Sequence, residues 1–372
     1  MTNKVFFSAL EHQFNSQQPM VAYRKPGSKT VTALLQKSDA IFFSDDYSES
    51  GFVMAPFDSR EDAVLLPLSE CEIIVLEDFV ISTARSCETS QETSGLIDGS
   101  RKMMVSDKDK ENHINLVQNG VEAIQKGQLD KVVLSRTESL TLSNANPINI
   151  LKRLLQTYPT AFVYCWYHPK VGLWLGATPE TLITARNNQF KTMALAGTQS
   201  YKGTLDVAWG KKEQEEQNIV TNFIINNLKA SVGCKTLEVS KVETIKAGNL
   251  LHLKTDISGT LNPDSSSFEE ILKALHPTPA VCGFSKRAAK QFILENESYD
   301  REFYTGFLGE LNFKRSGNDK PNSNLFVNLR CVQLKQNQAL VYVGGGITKD
   351  SNPEAEWQET VNKSQTIISI LS

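Results

Sequence analysis

The sequence predicts an α+β fold with largely antiparallel sheets. Apolar runs come in pairs joined by short polar turns, which is the pattern of β-hairpins. Single long helical patterns separate those pairs instead of alternating with every strand, so a βαβ winding is excluded. The composition, 372 residues with 40% hydrophobic and 22% charged, supports a sizeable core and excludes a disordered, collagen-like or disulfide-dense chain.

Each element follows from its local pattern. Residues 40–43 and 72–76 are short extended runs. The stretch 82–112 is rich in Ser, Thr, Glu, Asp and Lys and poor in apolar residues, so it reads as a mobile connection. Ile114, Val117, Val121 and Ile124, at spacings of 3, 4 and 3, form one face of a helix that stops near Gly127. A strand follows over 131–136, and Asn146-Pro147 caps a helix through Leu155. Residues 161–168 and 172–177 form a hairpin; 181–185 and 190–195 form another, turning at Asn187-Asn188. A long helix over about 211–228 carries the stripe Ile219, Val220, Phe223, Ile224 and Leu228. Residues 251–257 are extended, and Ser285 caps a helix through about Leu294. Strands over 325–334 and 339–343 join through a polar turn, and a last helix runs from Pro353 to the C-terminus. There is no internal repeat and no Pro-rich linker.

A net charge of −3 gives no electrostatic reason to expect nucleic acid or an anionic membrane. The six cysteines, at 71, 87, 165, 234, 282 and 331, form no CxxC and no Cys/His metal spacing. They read as free thiols of a reducing compartment. No segment reaches the roughly 20 apolar residues of a spanning helix, and the N-terminus lacks a basic region followed by an apolar run. The expected location is cytoplasmic.

Several residues could carry chemistry. Glu213 and Glu216 are three apart on one helix, and Glu356 and Glu359 are three apart on another, with Lys363 one turn further. Four converging carboxylates demand a cation, and their hard oxygens suit Mg²⁺; otherwise they are solvated faces near helix N-termini. Lys131 opens an apolar strand, as a usable general base or as an edge-strand lysine that blocks aggregation. Glu180 is either a partly buried acid with a raised pKa or a turn carboxylate. Arg330, within an apolar run, could grip a carboxylate bidentately or form a cross-strand salt bridge. Gly197, in Ala196-Gly197-Thr198, and Gly344-Gly345-Gly346 either let backbone N–H groups approach an anion or make tight turns. Neither cluster has P-loop or Rossmann spacing. His276 in His276-Pro277-Thr278-Pro279 reads as structural, and no Ser/His/Asp or Cys/His order stands out.

In order, these segments resemble the chorismate-utilising enzymes, and within that family the isochorismate synthases. The carriers are Asp130 to Arg136, Gly176-Ala177-Thr178-Pro179-Glu180, Leu195-Ala196-Gly197-Thr198, Lys212-Glu213 with Glu216, and His252-Leu253-Lys254-Thr255. They continue through the run from His276 to Gly283, Leu329-Arg330-Cys331, and Gly344 to Glu359. The motifs are concentrated in 108–372. The resemblance implies one catalytic domain over 1–372, with two large antiparallel sheets packed face to face and helices outside. It also implies roles. Lys131 matches the base that activates water, and Glu180 the acid near the departing hydroxyl. Glu213, Glu216, Glu356 and Glu359 match the Mg²⁺ site. Tyr304, Arg330, Gly344 and Gly346 match the grip on the pyruvyl carboxylate, and Lys363 a lysine near the ring carboxylate. Gly197, Thr198 and Ala280 fall among the substrate-binding positions.

The implied reaction adds water at C2 of chorismate, shifts the double bonds and expels the C4 hydroxyl, serving menaquinone or a catecholate siderophore. Ala196 stands where aminodeoxychorismate synthases carry a nucleophilic lysine, and Lys131 where anthranilate synthases lack the base. Both favour water over ammonia and argue against a glutamine amidotransferase subunit. Ala280 stands where salicylate synthases tend to carry Thr, which favours stopping at isochorismate. The rivals are a salicylate synthase, a chorismate-binding protein without catalysis, and a phosphoryl-transfer enzyme that would lack its phosphate loop. Gln217 replaces a common His near the expected metal site, Ser285 a common Pro and Thr178 a common Ser.

Overall fold

Strand alternation sorts the apolar residues into layers. Along the strand Phe162–His168, Phe162, Tyr164 and Trp166 point to one face and Val163, Cys165 and Tyr167 to the other. Both faces are buried, so the run reads as continuously apolar. The computed structural model describes residues 1–79, 107–142, 145–231, 233–247, 250–262, 267–314 and 320–371.

Two large sheets account for the strands. In spatial order the first contains Gly283–Phe284, Lys131–Thr141, Gln338–Ile347, Cys331–Lys335, Gly172–Thr178, Phe162–His168, Met20–Arg24, Val31–Gln36 and Cys71–Leu76. The second contains Cys234–Val239, Leu250–Leu261, Gln189–Ser200, Thr181–Arg186, Asn322–Val327, Phe307–Phe313, Gly51–Ala55, Ala63–Pro67 and Phe42–Ser44. Glu243–Ala247 also pairs with Leu250–Leu261. Every strand pairing among the described residues is antiparallel, including both predicted hairpins.

The helices are α1 (Asn3–Asn15), α2 (Asp107–Gln125), α3 (Pro147–Thr157), α4 (Lys211–Ser231), α5 (Phe268–Leu275), α6 (Lys286–Asn296) and α7 (Pro353–Leu371). α1, α3 and α7 cover the outer face of the first sheet, and α4 and α5 that of the second. α2 and α6 close over the start of the Lys131 strand. Between the sheets lies an aromatic layer with Tyr23, Phe52, Phe162, Trp166, Trp174 and Phe326. Phe162 of one sheet stacks on Phe326 of the other at 4.1 Å.

Local chemistry sets the helix ends. Asn146 accepts from the N–H groups of Ile148 and Asn149. Gly127, at φ +71°, closes α2 with Gly127 N–H donating to Ile124 O and Gln128 N–H to Ala123 O. No helix among the described residues is long and apolar enough to cross a membrane. Cys71, Cys165, Cys234, Cys282 and Cys331 are free thiols, and Cys87 lies outside the described residues.

Three expectations are corrected. Residues 82–106 of the expected connection lie outside the described residues, but 107–112 are the first turns of α2, where Asp107 and Asp109 suit the positive end of the helix. The run 325–334 is not one strand. It divides into Asn322–Val327 in the second sheet and Cys331–Lys335 in the first. The crossing includes Asn328, held by Tyr164 Oη and Phe303 O, and Arg330 at φ +47°. Ser285 precedes α6, but its side chain makes no cap. It sits at φ +63° and donates to Asp130 Oδ2 at 2.8 Å.

Candidate active site

At one end of the sandwich the walls enclose a cavity of about 1020 Å³. Its walls come from the start of the Lys131 strand, the glycine end of Gln338–Ile347, the irregular end of Gln189–Ser200, the first turns of α4, the middle of α7, and the segments around 280, 304 and 330.

Lys131 is 3% exposed and pairs through Nζ with Glu216 Oε1 at 2.6 Å. Its strand is flanked on both sides, so the edge-lysine alternative fails. Gly346 faces Val133 across the ladder, and a Cβ there would lie 3.0 Å from Lys131 Cε and 3.5 Å from Glu216 Oε1. The glycine therefore leaves room for the pair. Gly344 similarly makes space for Tyr304, whose Oη would lie 3.1 Å from an added Cβ. Gly344 and Gly346 are strand residues, not a turn. Gly197, at φ +67°, lies where the pairing of Gln189–Ser200 with Leu250–Leu261 shifts register.

Glu180 follows the strand Gly172–Thr178 and is buried. Burial pushes its carboxyl up to about 7, although the charge of Lys131 acts in the opposite direction. Both groups line the same chamber. Glu216 shows the other outcome. Burial alone would raise its pKa, but the charge and hydrogen bond of Lys131 hold it below the ordinary value. Arg330 makes no salt bridge among the described residues, so the cross-strand alternative fails there too. Burial lowers its pKa, as expected for a guanidinium without a carboxylate.

One chamber residue had no role in the sequence reading. His252 lies 3.0 Å through Nδ1 from Gly197 O. A carbonyl only accepts, so Nδ1 carries the proton and Nε2 offers a lone pair. Nε2 is buried without a hydrogen-bond partner. Burial, then the charge of Arg330, lowers its pKa to about 4, which keeps the ring neutral near pH 7. The available signal was alternation. His252 shares a strand face with Leu250, opposite the buried Leu251 and Leu253.

The remaining candidates divide. Gly197, Thr198, Ala280, Tyr304, Lys363, Glu213 and Glu359 all line the chamber with the residues above. Glu356 does not; it is 6% exposed and lies behind Gly345 beside Glu359. Burial and then Glu359 push its carboxyl up, against a hydrogen bond from Ser351. Lys363 pairs with Glu359 at 2.6 Å and donates to Gly344 O at 3.0 Å. Gln217 is turned away, donating to Ala194 O and Thr255 Oγ1 beneath α4. His276 is structural, with Nε2 donating to Thr305 O at 2.9 Å.

No group of three acidic, His or Cys side chains among the described residues converges closely enough to hold an ion. The donor set nevertheless fits a hard cation in kind. Glu216 and Glu359 each hold an ammonium at 2.6 Å, and Glu356 and Glu359 crowd together.

The chain is similar to known proteins in sequence and in fold. A family model described as chorismate binding enzyme matches residues 72–372. Isochorismate synthase DhbC of Bacillus subtilis (strain 168) is 31% identical over 277 residues, covering 69% of this chain and 67% of that protein. Isochorismate synthase EntC of Escherichia coli (strain K12) is 32% identical over 253 residues, covering 65% of this chain and 62% of that protein. The matched region thus spans about two thirds of these relatives. Among solved structures, a putative 2,3-dihydroxybenzoate-specific isochorismate synthase, DhbC from Bacillus anthracis, superposes with TM-score 0.76 at 23% identity, covering 97% of this chain and 98% of that one. MenF, the menaquinone-specific isochorismate synthase from Escherichia coli, gives TM-score 0.75 at 22% identity, covering 95% and 89%. These two likenesses carry the fold of paired antiparallel sheets with helices outside.

Proposed function

The chain belongs to the chorismate binding enzyme family, and from that membership and the chamber we propose that it is an isochorismate synthase. The observation that carries the reading is that Lys131 and Glu180 line one cavity together with Arg330, which makes no salt bridge among the described residues.

Chorismate is a dicarboxylate with a ring hydroxyl at C4. Arg330, helped by Tyr304 and the bare backbone at Gly344 and Gly346, holds the pyruvyl carboxylate. Lys131 acts as the base, taking a proton from water as the water oxygen bonds to C2. The ring double bonds shift, the C4–O bond breaks, and the hydroxyl leaves with the proton of Glu180. A carboxyl held up to about 7 still carries that proton near neutral pH. Glu213, Glu216, Glu356 and Glu359 would hold Mg²⁺, with Lys363 beside them. When bound, the ion supplies charge neutralisation at the ring carboxylate. Ala196 and Ala280 leave the chamber without an amine nucleophile or a hydroxyl at those positions, which supports water as co-substrate and isochorismate as end product. On this reading the enzyme needs no amidotransferase subunit and works in the cytoplasm.

The test is incubation of the purified protein with chorismate and Mg²⁺, products resolved by chromatography, with an EDTA control. Isochorismate in equilibrium with chorismate, lost with EDTA, is expected. Salicylate with pyruvate would overturn the product assignment. Chorismate binding without turnover would overturn the catalytic one.

A further inference from the structure

Beneath the chamber floor lies a charged pair that touches no part of the cavity surface. The Arg301 and Glu297 side chains are each 2% exposed and pair at 2.6 Å. Arg301 uses its whole donor set. Nε and one Nη2 hydrogen go to the two oxygens of Glu297. The rest reach Val133 O at 2.7 Å, Val281 O at 3.0 Å and Thr305 Oγ1 at 3.2 Å. Glu297 Oε1 in turn accepts from the backbone N–H and the hydroxyl of Ser135, both at 2.8 Å.

The acceptors are distributed in a telling way. Val133 and Ser135 follow Lys131 on the same strand face. Val281 follows Ala280, and Thr305 follows Tyr304. Val133, Val281 and Thr305 all line the chamber. One guanidinium therefore ties together the wall of the proposed base, the wall of the product-setting alanine and the wall of the carboxylate grip. Removing two charges from water is unfavourable, and an apolar pair of similar volume commonly serves stability as well. The planar fork supplies fixed distances among three segments far apart in sequence.

We propose that Arg301, held by Glu297, is a positioning residue that sets the spacing of Lys131, Ala280 and Tyr304 around the bound substrate. The proposal rests on the chamber being the chorismate site, and its test separates the two. Arg301→Lys keeps the charge against Glu297 but loses the fork. It should fold cooperatively and lower kcat by about 30-fold, since displacements of about 1 Å can cost two orders of magnitude. KM for chorismate should stay within about threefold, because Arg330 is untouched. Tyr23→Phe serves as a control, since it removes a buried hydrogen bond to Glu310 in the aromatic layer and neither residue lines the chamber; it should leave kcat unchanged. A kcat within threefold of wild type in Arg301→Lys, a joint change of kcat and KM, or an equal kcat loss in Tyr23→Phe would overturn the proposal. If the wild type is inert toward chorismate, the functional reading fails, and amide hydrogen exchange still tests the tether. Exchange at Val133, Val281 and Thr305 should speed at least tenfold in Arg301→Lys and not in Tyr23→Phe; unchanged exchange there would overturn it.

Discussion

The aromatic layer and the chamber are both interior to the fold, yet they treat polar atoms in opposite ways. In the layer, Tyr23 Oη donates to Glu310 at 2.7 Å, Lys25 and Asn324 complete that carboxylate, and Tyr164 donates to Asn328 at 2.6 Å. Its exceptions are the neutral indole N–H groups of Trp166 and Trp174. In the chamber, the groups without partners are the ones that matter chemically. The Glu180 carboxyl has no hydrogen bond among the described residues, Arg330 has no carboxylate, and His252 Nε2 has no donor. Burial without a partner is unfavourable, so a site that sets the buried Glu180 and the buried Nε2 of His252 beside a half-buried Arg330 is arranged for a ligand that completes the set. The lesson is that burial alone does not separate these two interior regions; titratable groups without a matching partner do.

The contrast can be broken by substitutions on each side. Lys131→Ala should lower kcat by about 10³-fold, with the dissociation constant for chorismate within about tenfold of wild type by calorimetry. Comparable turnover would remove Lys131 from the mechanism. In the layer, Phe162→Ala should cost about 3–5 kcal/mol of unfolding free energy by denaturant titration. Its folded fraction should keep wild-type kcat, and a large kcat loss per folded molecule would merge the two regions.

Glu180→Gln sharpens the contrast through pH. A carboxyl raised from 4.5 to about 7 binds more protons folded than unfolded between those values. Wild-type stability is therefore lost as pH rises through that window, by about 3 kcal/mol above it. The Gln variant should match wild type below pH 4.5 and exceed it above 7, while losing turnover. Equal pH–stability curves would contradict the buried-acid assignment. The smallest effect is expected from Gly346→Ala, whose methyl meets the flexible tip of Lys131. A kcat loss of about tenfold with little change in stability fits a displacement of a few tenths of an ångström.

Much of the fold was legible where local chemistry decides it. Asn146-Pro147, Gly127 and the Asn187 turn mark element ends, and each works by satisfying or redirecting its own backbone. The features that misread depend on tertiary contacts. The run 325–334 is apolar across a change of sheet, because the crossing at Asn328 is stabilised by Tyr164 and Phe303, which are remote in sequence. Gly344 and Gly346 read as a possible turn, yet they are strand positions emptied of side chains for Lys131 and Tyr304. Lys131, Glu180 and Arg330 were legible as candidates because each is a charge set in or beside an apolar strand. Their convergence on one cavity, the retreat of Glu356 behind Gly345, and the free nitrogen of His252 depend on how distant strands meet.

The most direct measurement is turnover of chorismate in ¹⁸O-enriched water with Mg²⁺, the products analysed by mass spectrometry. The account predicts isochorismate carrying one solvent oxygen, at the C2 hydroxyl, formed about 10³-fold more slowly by Lys131→Ala. Isochorismate without solvent oxygen, or labelled product formed by Lys131→Ala at a comparable rate, would contradict it.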